Sequence, residues 1–481
     1  FGRLRQGRAT MVCPPLVAEN WSREAQRASV PLDVISHGRL SHGRARDHEE
    51  VVDALRRAQV LCVDEGHNFL NIASNRTQQI LRNLADHVVL FTATPLNRSA
   101  ADLLRIADML GADNLDPRIL KTFERMLGAR NLTRTLSPEE IDLLRAEIQR
   151  FTVRRTKPML NALVARDPDA YVDAEGRRCS FPRHEARTYT LNESVEARAI
   201  ARRIGEIADG LLGATHFRRT LEMPAALRRQ GMTEQRYLEA RLRSANRLSR
   251  HMVMSSLRSS RAALLEHLVG TDAAVERIGL TGFSKANATG NVLGQLEAIG
   301  GQCPASKLAV PLPEWLREAE AHRRACSEDM ARYRQILALV DALADEREQA
   351  KAAHLAQVAR EHALLLAFDA RPITLAVIAR ALEARPEAPE VVIATGDRGS
   401  DRARALEAFA RGSDARGVVG LCSDSLAEGV NLQQASALVH LDMPSVVRIA
   451  EQRVGRVDRL DSPHASIEAW WPEDAPEFAL T

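Results

Sequence analysis

Short apolar runs alternate with helical stretches through residues 10 to 110. Met11–Pro14, Leu32–Ile35, Val60–Val63 and Val88–Phe91 are apolar, bounded by turn or polar residues, and read as buried strands. Between them, Gln78–Leu84 and Asp102–Leu110 repeat apolar positions at helical spacing. Strands alternating with helices predict a mainly parallel sheet covered on both faces. From about Leu191 to Gly300 helical patterns dominate, with breaks near Gly210, Pro224 and Gly231. Gly282–Gly301 is rich in Gly, Asn, Thr and Ser and reads as a loop. Residues 314–364 read as long charged helices. Alternation then returns, with strands expected at Ala363–Phe368, Glu390–Ala394, Gly417–Cys422 and Ala437–Leu441. The expected fold class is α/β: two parallel-sheet lobes, 1–190 and 304–481, with a mainly helical insertion over 191–303 between them.

Composition narrows the class. The 481 residues suffice for two to four domains, and 45% apolar with 27% charged residues is an ordinary globular balance. No uninterrupted apolar run approaches eighteen residues, so no membrane span is expected. Cys13, Cys62, Cys179, Cys303, Cys326 and Cys422 show neither zinc-ligand nor redox spacing. That pattern predicts a reducing, cytoplasmic setting without a structural metal. A net charge of +3 selects no partner. Its distribution is uneven: residues 198–261 hold fourteen arginines, no lysine and five acids, an excess of nine positive charges. Two readings stand, a solvated helical face or a phosphate-binding surface.

Candidate chemistry gathers at strand ends. Val60–Val63 runs into Asp64-Glu65-Gly66-His67. Ligands of parallel α/β sheets bind beyond the carboxyl ends of the strands. Two acids there suit a nucleotide hydrolase: one to hold Mg²⁺ through water, one to orient or deprotonate the attacking water. The same tetrapeptide also serves as an acidic strand end before a helix. The next strand ends in Thr92-Ala93-Thr94-Pro95, which alone could be a helix cap followed by proline. Later, Val418–Cys422 leads into Ser423-Asp424-Ser425 and then Glu428-Gly429-Val430-Asn431-Leu432. A glycine in such a loop lets backbone amides approach phosphate closely. Finally, Glu451-Gln452-Arg453-Val454-Gly455-Arg456-Val457-Asp458-Arg459 reads as a helix. Its spacing would put Gln452, Arg456 and Arg459 on one face. Arginine forks match phosphate oxygens and stay charged.

Taken in order, these segments resemble superfamily-two helicases. Asp64–His67 is similar to motif II and Thr92–Pro95 to motif III. Upstream, Met11–Leu16 with Asn20, Trp21 and Glu24 resembles motif Ia of the Swi/Snf-type remodelling ATPases, and Val34–His37 resembles motif Ib. Phe151–Lys157 resembles the block that closes the first lobe. Ser306-Lys307-Leu308 resembles the entry to the second, and Leu364–Phe368 with Asp369 its motif IV strand. Gly396, Arg402 and Phe409 are similar to the block before motif V, Ser423–Leu432 to motif V and Glu451–Arg459 to motif VI. The motif forms point to the bacterial, RapA-like branch.

The resemblance implies two RecA-like lobes that use ATP and Mg²⁺ to translocate on duplex DNA. It implies that Asp64 holds Mg²⁺ with Glu65, that Glu65 activates water, and that Arg456 and Arg459 complete the site. It assigns His67, Thr92, Thr94, Gly429 and Gln452 to ATP binding or coupling. Nucleic-acid contact falls to Pro14, Ser36, Arg154, Arg155, Ser423 and Asn431. The implied partners are duplex DNA with RNA polymerase or a defence complex as cargo. The chain departs from the pattern in one respect: the family's glycine-rich phosphate loop should precede motif Ia, and the ten residues before Met11 contain none. The expectation is a chain that begins just after that loop. A homologue lacking the loop, an ATPase-inactive nucleic-acid scaffold, and a strand-separating helicase are the alternatives.

Overall fold

The computed structural model describes residues 8–41, 46–71, 74–92, 101–110, 117–118, 121, 137–172, 176, 178–224, 227–228, 231–285, 287–395, 402–424, 432–444, 446–460 and 462–480. The chain divides into two compact units, Phe1–Thr156 and Lys157–Thr481.

The first unit is built on β1 (Arg8–Cys13), β2 (Leu32–Ser36), β3 (Ala58–Val63) and β4 (His87–Leu90). These four expected strands form one parallel sheet in the order β2-β1-β3-β4. Alternate residues of the central strands feed opposite faces. Val12, Leu61 and Val63 join Ile35, Val51, Leu55, Phe69 and Ile80 on one side. Ala9, Met11, Cys13, Val60 and Cys62 meet Val17 and Trp21 on the other. Burial on both faces explains why these strands read as continuous apolar runs. The chain passes from β1 to β2 on one flank, then crosses to β3 on the other. The topological switch therefore falls between the carboxyl ends of β1 and β3, the usual ligand crevice of such sheets.

The second unit contains β5 (Arg183–Thr190), β6 (Leu364–Phe368), β7 (Glu390–Ala394), β8 (Val418–Cys422), β9 (Ala437–His440) and β10 (Ser466–Glu473). All pair in parallel, in the order β5-β10-β9-β6-β8-β7. Every residue of β6 and β8 is buried. Both units thus have the parallel, helix-flanked build of a RecA-like lobe.

β5 and β10 were not expected from the sequence. β5 reads Arg-His-Glu-Ala-Arg-Thr-Tyr-Thr and is exposed along most of its length. It is an edge strand, where charge rather than apolar patterning is favoured. β5 pairs with β10 over eight residues, and the two compact units meet at Thr156–Lys157. The helical segment that follows β5 accordingly lies within the second unit.

That segment comprises the helices Val195–Asp209, Glu234–Ser259, Arg261–Val269, Thr271–Ile278, Val292–Ile299, Ala319–Ala342 and Glu346–Glu361. Ile204, Leu257, Leu264, Leu296 and Ile336 share one core with Ile373, from the helix after β6, and with Phe478. The expected loop at Gly282–Gly301 is a loop only in part. Asn291 accepts a hydrogen bond from the Gly294 amide and caps the helix Val292–Ile299. Gly290 sits at φ +81°, where a Cβ would lie 1.8 Å from the Glu266 carbonyl oxygen, so this approach requires glycine. Among the described residues no helix is long and apolar enough to cross a membrane.

Candidate functional site

In the first unit, six of the sequence-predicted residues, Pro14, Ser36, Asp64, Glu65, His67 and Thr92, lie at the carboxyl ends of the strands. Asp64 follows β3, held by its amide donating to the Val12 carbonyl of β1 at 2.8 Å. It therefore stands at the switch point. Its Oδ2 accepts from Trp21 Nε1 at 3.1 Å and its Oδ1 from the Glu65 amide at 2.9 Å. Burial nonetheless raises the Asp64 pKa above the ordinary carboxylate value, against those two hydrogen bonds. A carboxylate penalised by burial gains from a nearby cation.

Glu65 adopts φ 50° and ψ 50°, the left-handed region that an L residue occupies at a cost of about 1–2 kcal/mol. The turn is tied down on both sides: the Gly66 amide donates to the Phe91 carbonyl and the Phe91 amide to the Val63 carbonyl. Nδ1 of His67 lies 3.2 Å from Thr92 Oγ1 and 3.2 Å from Glu65 Oε2. One buried imidazole thus bridges the two strand ends carrying the motif II-like and motif III-like residues.

Pro14 is buried directly after β1, and Ser36 is the last residue of β2. Next to Ser36, His37 packs edge-on to Phe69, with ring centroids 4.8 Å apart. Burial pushes the His37 pKa down to about 4, so the ring is neutral at pH 7. Its Nε2 is 3.1 Å from the Asp64 carbonyl oxygen, which can only accept, so Nε2 carries the proton. Arg154 and Arg155 are exposed near the end of this unit. Thr94 lies outside the described residues.

In the second unit one expectation is corrected. The helix carrying the motif VI-like segment is Val447–Val454, and Gly455 ends it. Arg456 and Arg459 therefore lie in the turn beyond, and do not share a helical face with Gln452. The chain winds more tightly there: the Arg456 amide donates to the Arg453 carbonyl and the Val457 amide to the Val454 carbonyl. Arg456 Nε also donates to the Gln452 carbonyl oxygen at 3.1 Å. The Leu432 amide donates to the Arg456 carbonyl, which joins the segment after the motif V-like loop to this turn. Gly429 and Asn431 are outside the described residues. Ser423, at the end of β8, is buried, with its amide donating to the Ala394 carbonyl of β7.

Residue-type reasoning passed over Arg453, whose side chain is the largest fully buried one among the described residues. Its Nε donates to Asp424 Oδ1 at 2.7 Å and its Nη1 to Asp442 Oδ1 at 2.6 Å. Those two acids stand just past β8 and β9, and the guanidinium lies 5.8 Å from the centroid of Phe368 in β6. One arginine therefore ties three strand ends to the helix before Arg456. Although burial opposes charge on Asp442, Arg453 holds its carboxyl below the ordinary range. His440 stacks on Trp471 and is pushed down to about 3, chiefly by burial and then by Arg453. Asp424 was visible in the motif V-like segment, but nothing in the local sequence marks Asp442 as its companion. Beside this pair lies a cavity of about 230 Å³, lined in part by Arg258, Arg371, Asp424, Asp442 and Arg453. Lys157, from the block expected to close the first lobe, pairs instead with Asp458 within this unit.

Asp369 directly follows β6 and is fully buried. Its Oδ1 accepts from Ser259 Oγ at 2.8 Å and from the Arg371 amide at 2.7 Å. Burial, then the neighbouring Asp442, raises its pKa to about 7. A carboxyl raised on folding stabilises the fold at low pH, and that contribution is lost as pH rises through the folded value. Relative to Asp369→Asn, the wild type is therefore expected to lose stability between about pH 4 and 7, with a slope approaching 1.4 kcal/mol per pH unit. Urea unfolding of both proteins across that range checks it, and a constant gap refutes it.

Two family models match the chain: the SNF2-related domain over residues 34–236 and the helicase conserved C-terminal domain over residues 360–461. A curated relative, the RNA polymerase-associated protein RapA of Serratia proteamaculans (strain 568), is 36% identical over 107 residues. That match covers 22% of this chain and 11% of the relative. Among solved structures, the Hef helicase domain of Pyrococcus furiosus aligns at 16% identity and a TM-score of 0.39, covering 97% of this chain and 87% of its own. The SWI2/SNF2 ATPase core of Sulfolobus solfataricus, solved in complex with dsDNA, aligns at 14% identity and a TM-score of 0.30 over 97% and 77%.

Proposed function

Because the chain belongs to the superfamily-two helicase-like proteins of the Swi/Snf type, we propose that it serves an ATP-driven translocase that moves on duplex DNA and displaces protein bound there. The observation that carries the reading is Asp64 and Glu65 at the switch point of the first sheet, a partly desolvated carboxylate beside a left-handed second acid. This donor set fits magnesium, which takes one or two protein carboxylates and completes its shell with water and phosphate oxygens. Bound with ATP, magnesium would neutralise charge on the phosphates, with Asp64 as its protein anchor.

The remaining roles belong to the chain's own side chains. Glu65 accepts a proton from the attacking water, and the imidazole of His67 links that carboxylate to Thr92. Thr92 and Thr94 report the state of the site to the rest of the lobe. Arg456 and Arg459 bind phosphate oxygens, and Gln452 and Gly429 serve nucleotide binding or coupling. Pro14, Ser36, Arg154, Arg155, Ser423 and Asn431 contact nucleic acid. The name of the curated relative suggests RNA polymerase as cargo, with a DNA-bound defence complex as the other candidate.

The test is ATP turnover by the complete protein with and without duplex DNA, run beside a forked-duplex unwinding assay. Stimulation of at least about tenfold without strand separation is expected. Turnover indifferent to duplex, or release of the displaced strand, would overturn the translocase reading.

A further inference from the structure

Of the fourteen arginines in residues 198–261, Arg229 lies outside the described residues, and Arg219, in a bend, is exposed with no side-chain hydrogen bond or ion pair among the described residues. Most of the others are engaged within the second unit. Arg198 and Arg202 pair with Glu477, Arg203 with Glu206, Arg228 with Glu234, Arg250 with Asp209 and Arg258 with Asp474. Arg261 donates to the Val340 and Asp341 carbonyls, Arg218 donates to Gln295, and Arg241 lies over Phe217. These arginines have their partners within the unit itself.

Arg236, Arg243 and Arg247 differ. All three are exposed, and none has a side-chain hydrogen bond or ion pair among the described residues. They stand on the 26-residue helix Glu234–Ser259, whose opposite face buries Leu238, Ala245, Ser249 and Val253. At 100° per residue their positions fall within an arc of about 40°, spread over about 16 Å of helix axis. The acid closest to this arc on the helix is Glu239, about 40° beyond its edge at Arg243, and it accepts from Gln235. Three unpaired charges of one sign, aligned on a helix whose other face is locked into a core, repel one another. A fold gains nothing by that alignment, whereas a polyanion would.

We propose that Arg236, Arg243 and Arg247 form a phosphate-binding stripe for the backbone of duplex DNA, a contact surface on the helical segment separate from the motif residues. The inference rests on the duplex-translocase reading and adds to it a second place of contact. Arginine, with lysine absent from the whole interval, suits phosphate through its planar fork. Phosphate contacts fix position without reading sequence, so the stripe would serve binding irrespective of base content.

The experiment is a salt titration of binding to a fluorescent duplex, comparing the full chain with the triple variant R236E/R243E/R247E and its lysine counterpart. Each phosphate neutralised contributes about 0.9 to the slope of log affinity against log salt. Three contacts predict a slope shallower by roughly 2.7 in the glutamate variant. Between 50 and 200 mM salt that is a roughly 40-fold difference in how much affinity is lost. The lysine variant should keep the wild-type slope, and all three proteins should melt alike, since the positions are exposed. Equal slopes for wild type and glutamate variant would overturn the inference while leaving the translocase reading intact. So would equal slopes with loss of binding to polyglutamate, which would make an acidic protein the occupant. A wild type that fails to bind duplex overturns the underlying reading, and this inference with it.

Discussion

Replacing Arg453 with alanine is expected to destabilise the second unit by about 3–5 kcal/mol, the usual loss when one partner of a buried ion pair is removed. The size follows from what is left behind. Asp442 would remain past β9 with its side chain only 13% exposed, left with the Ala370 amide and the field of Lys351 in place of its arginine, and Asp424 would lose its partner past β8. The buried volume of the side chain adds a cavity against Phe368. Two comparisons separate charge from packing. Arg453→Met fills the cavity and leaves the acids unpaired, so most of the loss should remain. Adding Asp442→Asn to Arg453→Met should recover a large part of it, because the penalty belongs to the stranded carboxylate. The defect of Arg453→Ala should also shrink at low pH. Arg453 depresses the Asp442 pKa, so its contribution is present above the ordinary carboxylate range and fades as pH falls and the acid protonates. Denaturant unfolding at pH 7 and pH 4 reads both effects. A loss below about 1 kcal/mol at pH 7 would show that the pair is not what holds these strand ends together.

This strut also marks where sequence reading stopped. The central strands were legible because burial on both faces leaves a run of apolar residues with polar punctuation, as in Leu364–Phe368 and Val60–Val63. Asp64, Glu65, His67 and Thr92 were legible because strand ends carry chemistry in parallel sheets, and the structure brings those four to one edge. β5 and β10 were not legible. β5 is a charged edge strand and β10 is half-buried, so neither shows the continuous apolar signal that marked the central strands. The helix at the motif VI-like segment was overextended because Arg456 and Arg459 fit a helical period, while Gly455 ends the helix at Val454. Arg453 stood one position from Gln452 and was passed over. Its role depends on Asp424 and Asp442, which reach it from the ends of two different strands, a relation that no local spacing encodes. From its sequence the arginine-rich interval reads either as a solvated helical face or as a phosphate-binding surface. The structure shows mostly internal pairing and one short stripe.

If Glu65 is the base of the proposed reaction, Glu65→Gln is expected to lower nucleic-acid-stimulated ATP turnover by about 10²–10⁴-fold, the range for removing a positioned general base. Glutamine keeps the size and shape of the side chain and leaves the turn intact, so folding stability should change little. A second substitution makes the prediction sharper. Glu65 sits at φ 50°, in a turn fixed by Gly66–Phe91 and Phe91–Val63 backbone hydrogen bonds, so the strain cannot relax without breaking them. Glycine adopts that conformation freely. Glu65→Gly should therefore relieve strain, offset in part by greater chain entropy in the unfolded state, and leave the first unit as stable as the wild type or up to about 1 kcal/mol more so. Turnover should fall as far as in the glutamine variant. A residue retained for folding would behave in the opposite way, with stability lost and chemistry spared. A carboxylate held in an unfavourable conformation at a strand end, whose removal costs activity and not stability, is the signature of a site that accepts strain for function. Undiminished turnover in Glu65→Gln would remove Glu65 from the reaction. Loss of stability in Glu65→Gly would make the acid part of the fold instead.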